Sequence, residues 1–253
     1  MPNSTSLHEG QFPRIANLGV SGLLVQFGDT LSEPVNRAAL ALRAHLEKES
    51  WDGVEETSTS LSSVFVRFDP LHLSHASLRQ RLEGLLRDQD WYAANLPTGR
   101  RHWHIPCSFG GSDGPQLGEA AALAGHSEPE SIADIEAHPV QVLTIGFAPG
   151  QPYMGSLPVE WDIPRQTGLT AKVPEGALVV AIRQLIIFAS DAPTGWRHIG
   201  QTAFRCYRPE AGDPFALRPG DLVSFYPISP DELSAIRFNN PSGDGGAKME
   251  LLS

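Results

Sequence analysis

Two histidines one residue apart, His102 and His104 in "HWHIPCSF", are the first whose spacing bears on chemistry, because positions i and i+2 of a strand project to one face. Such a pair can ligate a metal. Flanked by Arg101 and Trp103 beside a turn-rich segment, it reads instead as a polar strand face, and no metal is expected. Cys107 and Cys206 lie in neither a C-x-x-C nor a C…H arrangement, so two buried thiols are expected rather than a disulfide framework or zinc site. There is no G-x-x-x-x-G-K-[ST] loop, no G-x-G-x-x-G after a strand and no H-E-x-x-H, and no G-x-S-x-G serine-hydrolase elbow is expected. No nucleophile or general base can be named.

A different signal comes from "LTIGFAPGQPYMGSLP", Leu143 to Pro158, which starts as a β-rich run and then loses regularity. Gly146, Pro149, Gly150 and Pro152 surround Phe147, Tyr153 and Met154, so the backbone turns sharply among large side chains. Such a loop can present N–H groups to a ligand or partner while Phe147 and Tyr153 wall the site; it can also simply close a barrel corner. In "PTGWRHIG", Trp196, Arg197 and His198 line a site, or the Trp after the turn is a barrel plug. Arg165 after "WDIP" is an anion-binding candidate, and Asp213 and Asp221 read as turn caps.

The elements that must position these residues fall into two groups. "SGLLVQFG" and "SSVFVRFD" read as strands, "SEPVNRAALALRAHLEKE" as a helix with Ser32 as N-cap, and "HASLRQRLEGLLRDQ" as a helix with a Leu78, Leu82, Leu85, Leu86 stripe. With weaker strands at 14–18 and 54–58, residues 1–97 are expected to form a small α/β sandwich. Pro and Gly in "ANLPTGRR" mark a linker. Beyond it, residues 98–253 open with the strand "HWHIPCSF" and two short helices, "GPQLGEAAALAG" and "EPESIADIEAH". They continue as short apolar runs, "VQVLTIGF", "GALVVAI", "QLIIFAS", "FRCYRP" and "DLVSFYPI", at the spacing of a barrel or sandwich. The tail "RFNNPSGDGGAKMELLS" is expected to fray.

Composition bounds the function. The 253 residues are 41% hydrophobic, enough for real cores, and 19 basic against 29 acidic residues give a net charge of −10. With no basic cluster beyond a pair such as Arg100-Arg101, neither a nucleic-acid nor an anionic-membrane surface is expected. "MPNSTSLHEGQF" lacks the pattern of an export signal, no apolar run is long enough to span a bilayer, and a cytoplasmic protein is expected.

Several motifs in unbroken order carry a resemblance. "LTIGFAPGQPYMGSLP", then "IPR", "KVPEGAL", "SDAPTGWRHIGQTAF" and "DPFALRPGDLVSFYPI", together with "GVSGLLVQFGD", "SSVFVRFDP" and "HIPCSFGGSDGPQL", resemble the allophanate hydrolase subunit 1 family. That family includes KipI and the B subunit of ATP-dependent 5-oxoprolinase. The resemblance implies an α+β chain in which the α/β domain precedes a cyclophilin-like β-barrel. It implies a non-autonomous subunit of an ATP-dependent amidohydrolase, the 5-oxoprolinase type that opens 5-oxoproline to glutamate. ATP would be used at the level of the complex. Implied partners are an allophanate hydrolase subunit 2 homologue of the KipA kind, a LamB/YcsF-type protein and a small carboxylate or amide substrate. The alternatives within the resemblance are a KipI-like inhibitor of a histidine kinase and a carboxyltransferase component of a urea carboxylase-like enzyme.

The ligand- or partner-facing residues expected on this basis are Phe147, Pro149, Gly150, Gln151, Tyr153, Arg165, Lys172, Arg183, Gln184, Trp196 and His198. Departures are concentrated among them. The family's GFxPGFxYLGGL is here Gly146 to Leu157 with the polar Gln151 in place of an aromatic, and its GGQTG is here Ile182-Arg183-Gln184-Leu185-Ile186. If "AIRQLII" is a strand facing the site, bulky residues narrow the pocket and Arg183 offers a cation to a carboxylate. Under plain alternation Arg183 and Leu185 face away from Ile182, Gln184 and Ile186. Val20, Ser62 and Ser112 also replace the family's Asp, Arg and Glu, removing charges.

Overall fold

The first unit is made by period-two burial in its strands meeting period-3.6 burial in its helices. In this computed structural model, which describes residues 12–252, the elements are β1 (Arg14–Asn17), β2 (Gly22–Gln26), α1 (Glu33–Glu49), β3 (Val54–Thr59), β4 (Ser63–Phe68) and α2 (His75–Asp88). The sheet is antiparallel in the order β1-β2-β4-β3. Leu23 pairs with Val66 and Val25 with Val64, so these four fully buried side chains share one face. Leu42 and Leu46 of α1 and Leu78, Leu82 and Leu86 of α2 pack into that same core. Each such burial is worth about 1.5–3 kcal/mol. Ser74 caps α2 by accepting from the Ser77 amide at 3.1 Å, whereas Ser32 sits at the α1 N-cap without a side-chain bond and Pro34 opens the helix. This unit ends at Pro97 and a second begins at Thr98.

The second unit contains β5 (Arg101–Phe109), α3 (Leu117–Ala124), α4 (Glu128–Ala137), β6 (Val140–Ile145), β7 (Pro152–Gly155), β8 (Thr170–Val173) and β9 (Ala177–Ala181). It continues with β10 (Gln184–Ile187), β11 (Ala192–Thr194), β12 (Arg197–Gln201), β13 (Leu222–Pro227), α5 (Pro230–Phe238) and β14 (Lys248–Leu251). Seven strands pair in the order β12-β9-β10-β7-β6-β13-β5, and β12 also pairs with β5, so the sheet closes into a barrel. Strand alternation divides the side chains. Ile105, Met154, Leu178, Val180, Leu185, Ile187 and Phe225 fill the interior, while Val179, Ala181, Ile186 and Tyr153 face outward into a smaller cluster with Trp196. Cys107 and Cys206 are buried free thiols whose pKa values burial raises.

The α+β class and the closed barrel are as the sequence implied, but several local expectations are corrected. "FRCYRP" forms no strand: the Arg205 amide donates to the Gly243 carbonyl and the Ala216 amide to that of Cys206, leaving one isolated bridge, Tyr207 to Phe215. The tail does not fray over residues 248–251, which pair with β5 from Arg101 to His104. "PYMG", irregular by its sequence, is β7. Ser229 and Glu232 build a reciprocal capping box at the start of α5, a helix not foreseen. Asp221 caps its turn through the Arg218 amide, and it also accepts from the Arg101 amide and guanidinium as a nearly buried ion pair. The export-signal reading rests largely on residues outside the described ones; among the described residues no helix is long and apolar enough to cross a membrane.

Candidate functional site

The Gly/Pro loop joins β6 to β7 and is held by its own backbone. The Gly146 amide donates to the Gln151 carbonyl and the Gln151 amide to that of Ala148, each at 3.1 Å. Gly150 has φ 74°, and a Cβ there would stand 2.7 Å from the Cys206 carbonyl oxygen. Its close backbone approach is therefore made to the chain itself. Gln151 is buried and its Oε1 accepts from the Ala189 amide at 3.4 Å. From this anchored base Phe147 projects, 76% exposed and left-handed at φ 70°, with Pro149 exposed beside it. Met154 and Leu157 do not join it at the surface; both are fully buried in the barrel core.

The second segment is a hairpin turn rather than one strand. Ile182 and Arg183 connect β9 to β10 with φ 43° and 61°, the pattern of a type I′ turn, which ordinarily takes Asn-Gly or Gly-Gly. The Ile182 amide donates to the Ile163 carbonyl at 2.8 Å and the Arg183 amide to Trp161 at 2.9 Å. Arg183 Nε donates to the Leu157 carbonyl at 2.8 Å. Neither strand-based orientation of Arg183 holds, because the residue lies outside the pleat and its guanidinium is tied to backbone.

Register brings several of the remaining residues to one outer face. Tyr153 pairs with Ile186, Ile186 with Val179, and Val179 with His198, while Gln184 lies two residues before Ile186 on the same side. Tyr153 meets Trp196 edge to face at 6.2 Å, and Arg165 lies over the Trp196 ring at 5.2 Å. Lys172 stands apart, exposed and paired with Asp191 at 2.6 Å. His198 is 6% exposed with Nε2 buried and unpartnered; burial lowers its pKa, opposed by Gly200, Asp113 and Gln201.

Two glutamines that carry no sequence signal hold this face. Gln116 Oε1 accepts from the His198 amide at 2.9 Å, Gln116 Nε2 donates to Gln166 Oε1 at 2.7 Å, and Gln166 Nε2 donates to the Trp196 carbonyl at 3.0 Å. Beside it Ser108 Oγ donates to Asp113 Oδ2 at 2.7 Å. A lone Gln has no motif, so only the fold reveals the relay. The expectation that the chain has no G-x-S-x-G segment is corrected: Gly110-Gly111-Ser112-Asp113-Gly114 fits that spacing. Ser112 is exposed on the turn after β5. A cleft of about 180 Å³ lies elsewhere, bordered by Glu175, Thr202, Arg205, Arg237 and Asn240, and includes none of the eleven expected residues.

The family described as "Carboxyltransferase domain, subdomain C and D" matches residues 13–217. The B subunit of 5-oxoprolinase from Bacillus subtilis is 30% identical over 233 residues, covering 88% of this chain and 96% of that protein. Its counterpart from Escherichia coli O157:H7 is 34% identical over 148 residues, covering 58% and 68%. Among solved structures, TTHA0988 matches with TM-score 0.69 and 30% identity over 82% of this chain, which spans only 40% of that longer one. The Kluyveromyces lactis urea carboxylase matches with TM-score 0.73 and 17% identity, covering 93% of this chain and 23% of that one, a likeness of fold. By the match across 13–217 and the identity sustained over nearly its whole length, the chain belongs to the carboxyltransferase subdomain C and D family, together with the B subunits of 5-oxoprolinase.

Proposed function

We propose that this chain is the smaller, non-autonomous subunit of a cytoplasmic ATP-dependent 5-oxoprolinase-type amidohydrolase that works with an allophanate hydrolase subunit 2 homologue and a LamB/YcsF-type protein. The observation that carries the reading is the 30% identity to a 5-oxoprolinase B subunit across 96% of that protein, a span that includes both units of this chain rather than a shared barrel alone. Phe147 supports it: a large apolar side chain held out in a left-handed conformation on an anchored loop is suited to insert into a partner. The Gly/Pro loop does not fit an ATP cradle, since Gly150 is closed off by Cys206, so ATP and the small carboxylate or amide substrate are assigned to the assembly.

Co-expression with a subunit 2 homologue, size exclusion and a 5-oxoproline-dependent ATPase assay test the proposal. The expected outcome is co-elution, turnover by the assembly with its LamB/YcsF-type component, and none by this chain alone. Separate elution at micromolar concentration, or turnover by the isolated chain, would overturn it. The fold likeness to a urea carboxylase favours a second reading, a carboxyltransferase component; biotin-dependent carboxyl transfer by the same assembly, without 5-oxoproline hydrolysis, would select it.

A further inference from the structure

Three adjacent strands of the barrel wall bring a set of donor atoms to one point. Trp103 and Ile105 of β5 enter the core, so His102 and His104 project from the opposite face, with ring centroids 4.1 Å apart. On one side β14 pairs with β5 in a register that sets Glu250 opposite His102. On the other side β13 sets Ser224 beside them, its Oγ 2.8 Å from His102 Nε2. Glu250 Oε1 then lies 3.5 Å from His102 Nδ1 and 3.4 Å from His104 Nε2. One donor atom from each of the three residues falls within 4.8 Å of the others.

These separations are poor for hydrogen bonds, whose N···O distances centre on about 2.9–3.0 Å. Where the chain pairs one histidine with one carboxylate in a direct hydrogen bond, His72 with Asp69, the contact is 2.5 Å. Here two ring nitrogens converge on a single oxygen, His104 Nε2 in a long hydrogen bond at 3.4 Å and His102 Nδ1 at 3.5 Å. Donors held about 2.0–2.1 Å from a tetrahedral ion stand about 3.3–3.5 Å from one another, the spacing of the two histidine–glutamate contacts, and the two ring nitrogens lie within 4.8 Å of each other. We propose that His102 Nδ1, His104 Nε2 and Glu250 Oε1 form a site for one divalent transition ion of the Zn²⁺, Co²⁺ or Ni²⁺ class, with water completing the coordination. Two imidazoles and a carboxylate are the donor set these borderline ions take. Ser224 Oγ, 2.8 Å from His102 Nε2, orients the ring; in the tautomer with the proton on Nε2 that nitrogen donates to Oγ and Nδ1 is free to ligate, the hydroxyl standing where a carboxylate, carbonyl or water usually holds a metal-bound imidazole. Side-chain exposures of 39% at His104 and 65% at Glu250 leave an open path for the ion. Bound metal would clip β14, four exposed residues, onto β5.

The test is Zn²⁺ titration of the untagged full chain against a chromogenic chelator, with Co²⁺ d–d absorption as an independent report of tetrahedral coordination. The wild type is expected to bind one equivalent of Zn²⁺ and to give the Co²⁺ spectrum. His102→Ala with His104→Ala loses both while retaining its circular dichroism. Ser224→Ala and Glu250→Gln each weaken binding by about 10–100-fold. No stoichiometric binding by the wild type, or one equivalent still bound by the double variant, would overturn the site.

Discussion

Two tight turns of the second unit solve the same backbone problem with opposite residues. At the β6–β7 loop the close approach to Cys206 is made by glycine, and the strained conformation beside it is left to an exposed aromatic, Phe147. At the β9–β10 hairpin both left-handed positions carry side chains, Ile182 and Arg183, where glycines stand in the family it resembles. The first arrangement is demanded by packing. The second is tolerated because Ile163, Trp161 and Leu157 supply backbone partners on every side. A glycine in a ligand-like loop can thus be structural, and a side chain in a glycine-like turn can be an acceptable cost, about 1–2 kcal/mol per left-handed residue.

The sharpest break is Gly150→Ala. Left-handed strain and overpacking against the Cys206 carbonyl should together destabilise the chain by about 2–5 kcal/mol, read from urea unfolding. Should the loss be below about 1 kcal/mol, the loop is not packed as described. Next is Phe147→Gly, which separates stability from assembly: the isolated chain gains about 1 kcal/mol while affinity for the subunit 2 homologue falls by about 2 kcal/mol or more, measured by calorimetry. Smaller still, Ile182→Asn combined with Arg183→Gly restores a favoured type I′ pair. After loss of the Arg183–Leu157 hydrogen bond it should raise stability by about 1 kcal/mol. A control away from both turns is His198, whose folded pKa is depressed. The unfolded chain takes up the proton first as pH falls through about 6.5, so the stabilisation present above that value is lost on acidification. The turn variants should keep this dependence in thermal melts, whereas His198→Gln should flatten it.

What could be read in advance was whatever local spacing encodes. The Leu78, Leu82, Leu86 stripe and the alternation of β2 and β4 define the first core without tertiary information. Alternation also puts Gln184 and Ile186 on one side and Leu185 on the other, as they are. The α5 capping box, Ser229-x-x-Glu232, was legible as well and was overshadowed by the Pro-rich context. Contacts decided by distant chain segments were not legible. "KMEL" is too short and polar to announce β14, and only its pairing with β5 reveals Glu250 beside two histidines. The Gln116–Gln166 relay joins residues 50 apart, and nothing in either neighbourhood marks it.

The barrel closes where β12 meets β5, and that join has only two residue pairs, Gly200 with Phe109 and Gln201 with Ser108. The turn after β5 extends it, with the Gly110 amide donating to Ile199 and the Gln116 amide to His198. Because the joined segments are far apart in the chain, the entropy of closing that long loop is lost before the pairs offset it, and closure belongs late in folding. The same weakness governs the native state: a short seam is where the cylinder breathes, so amide exchange should start there and spread into β12 while β9 and β10 stay protected. Trp196 and His198 therefore sit beside the most readily opened edge of the wall, and their outer face shares its fluctuations.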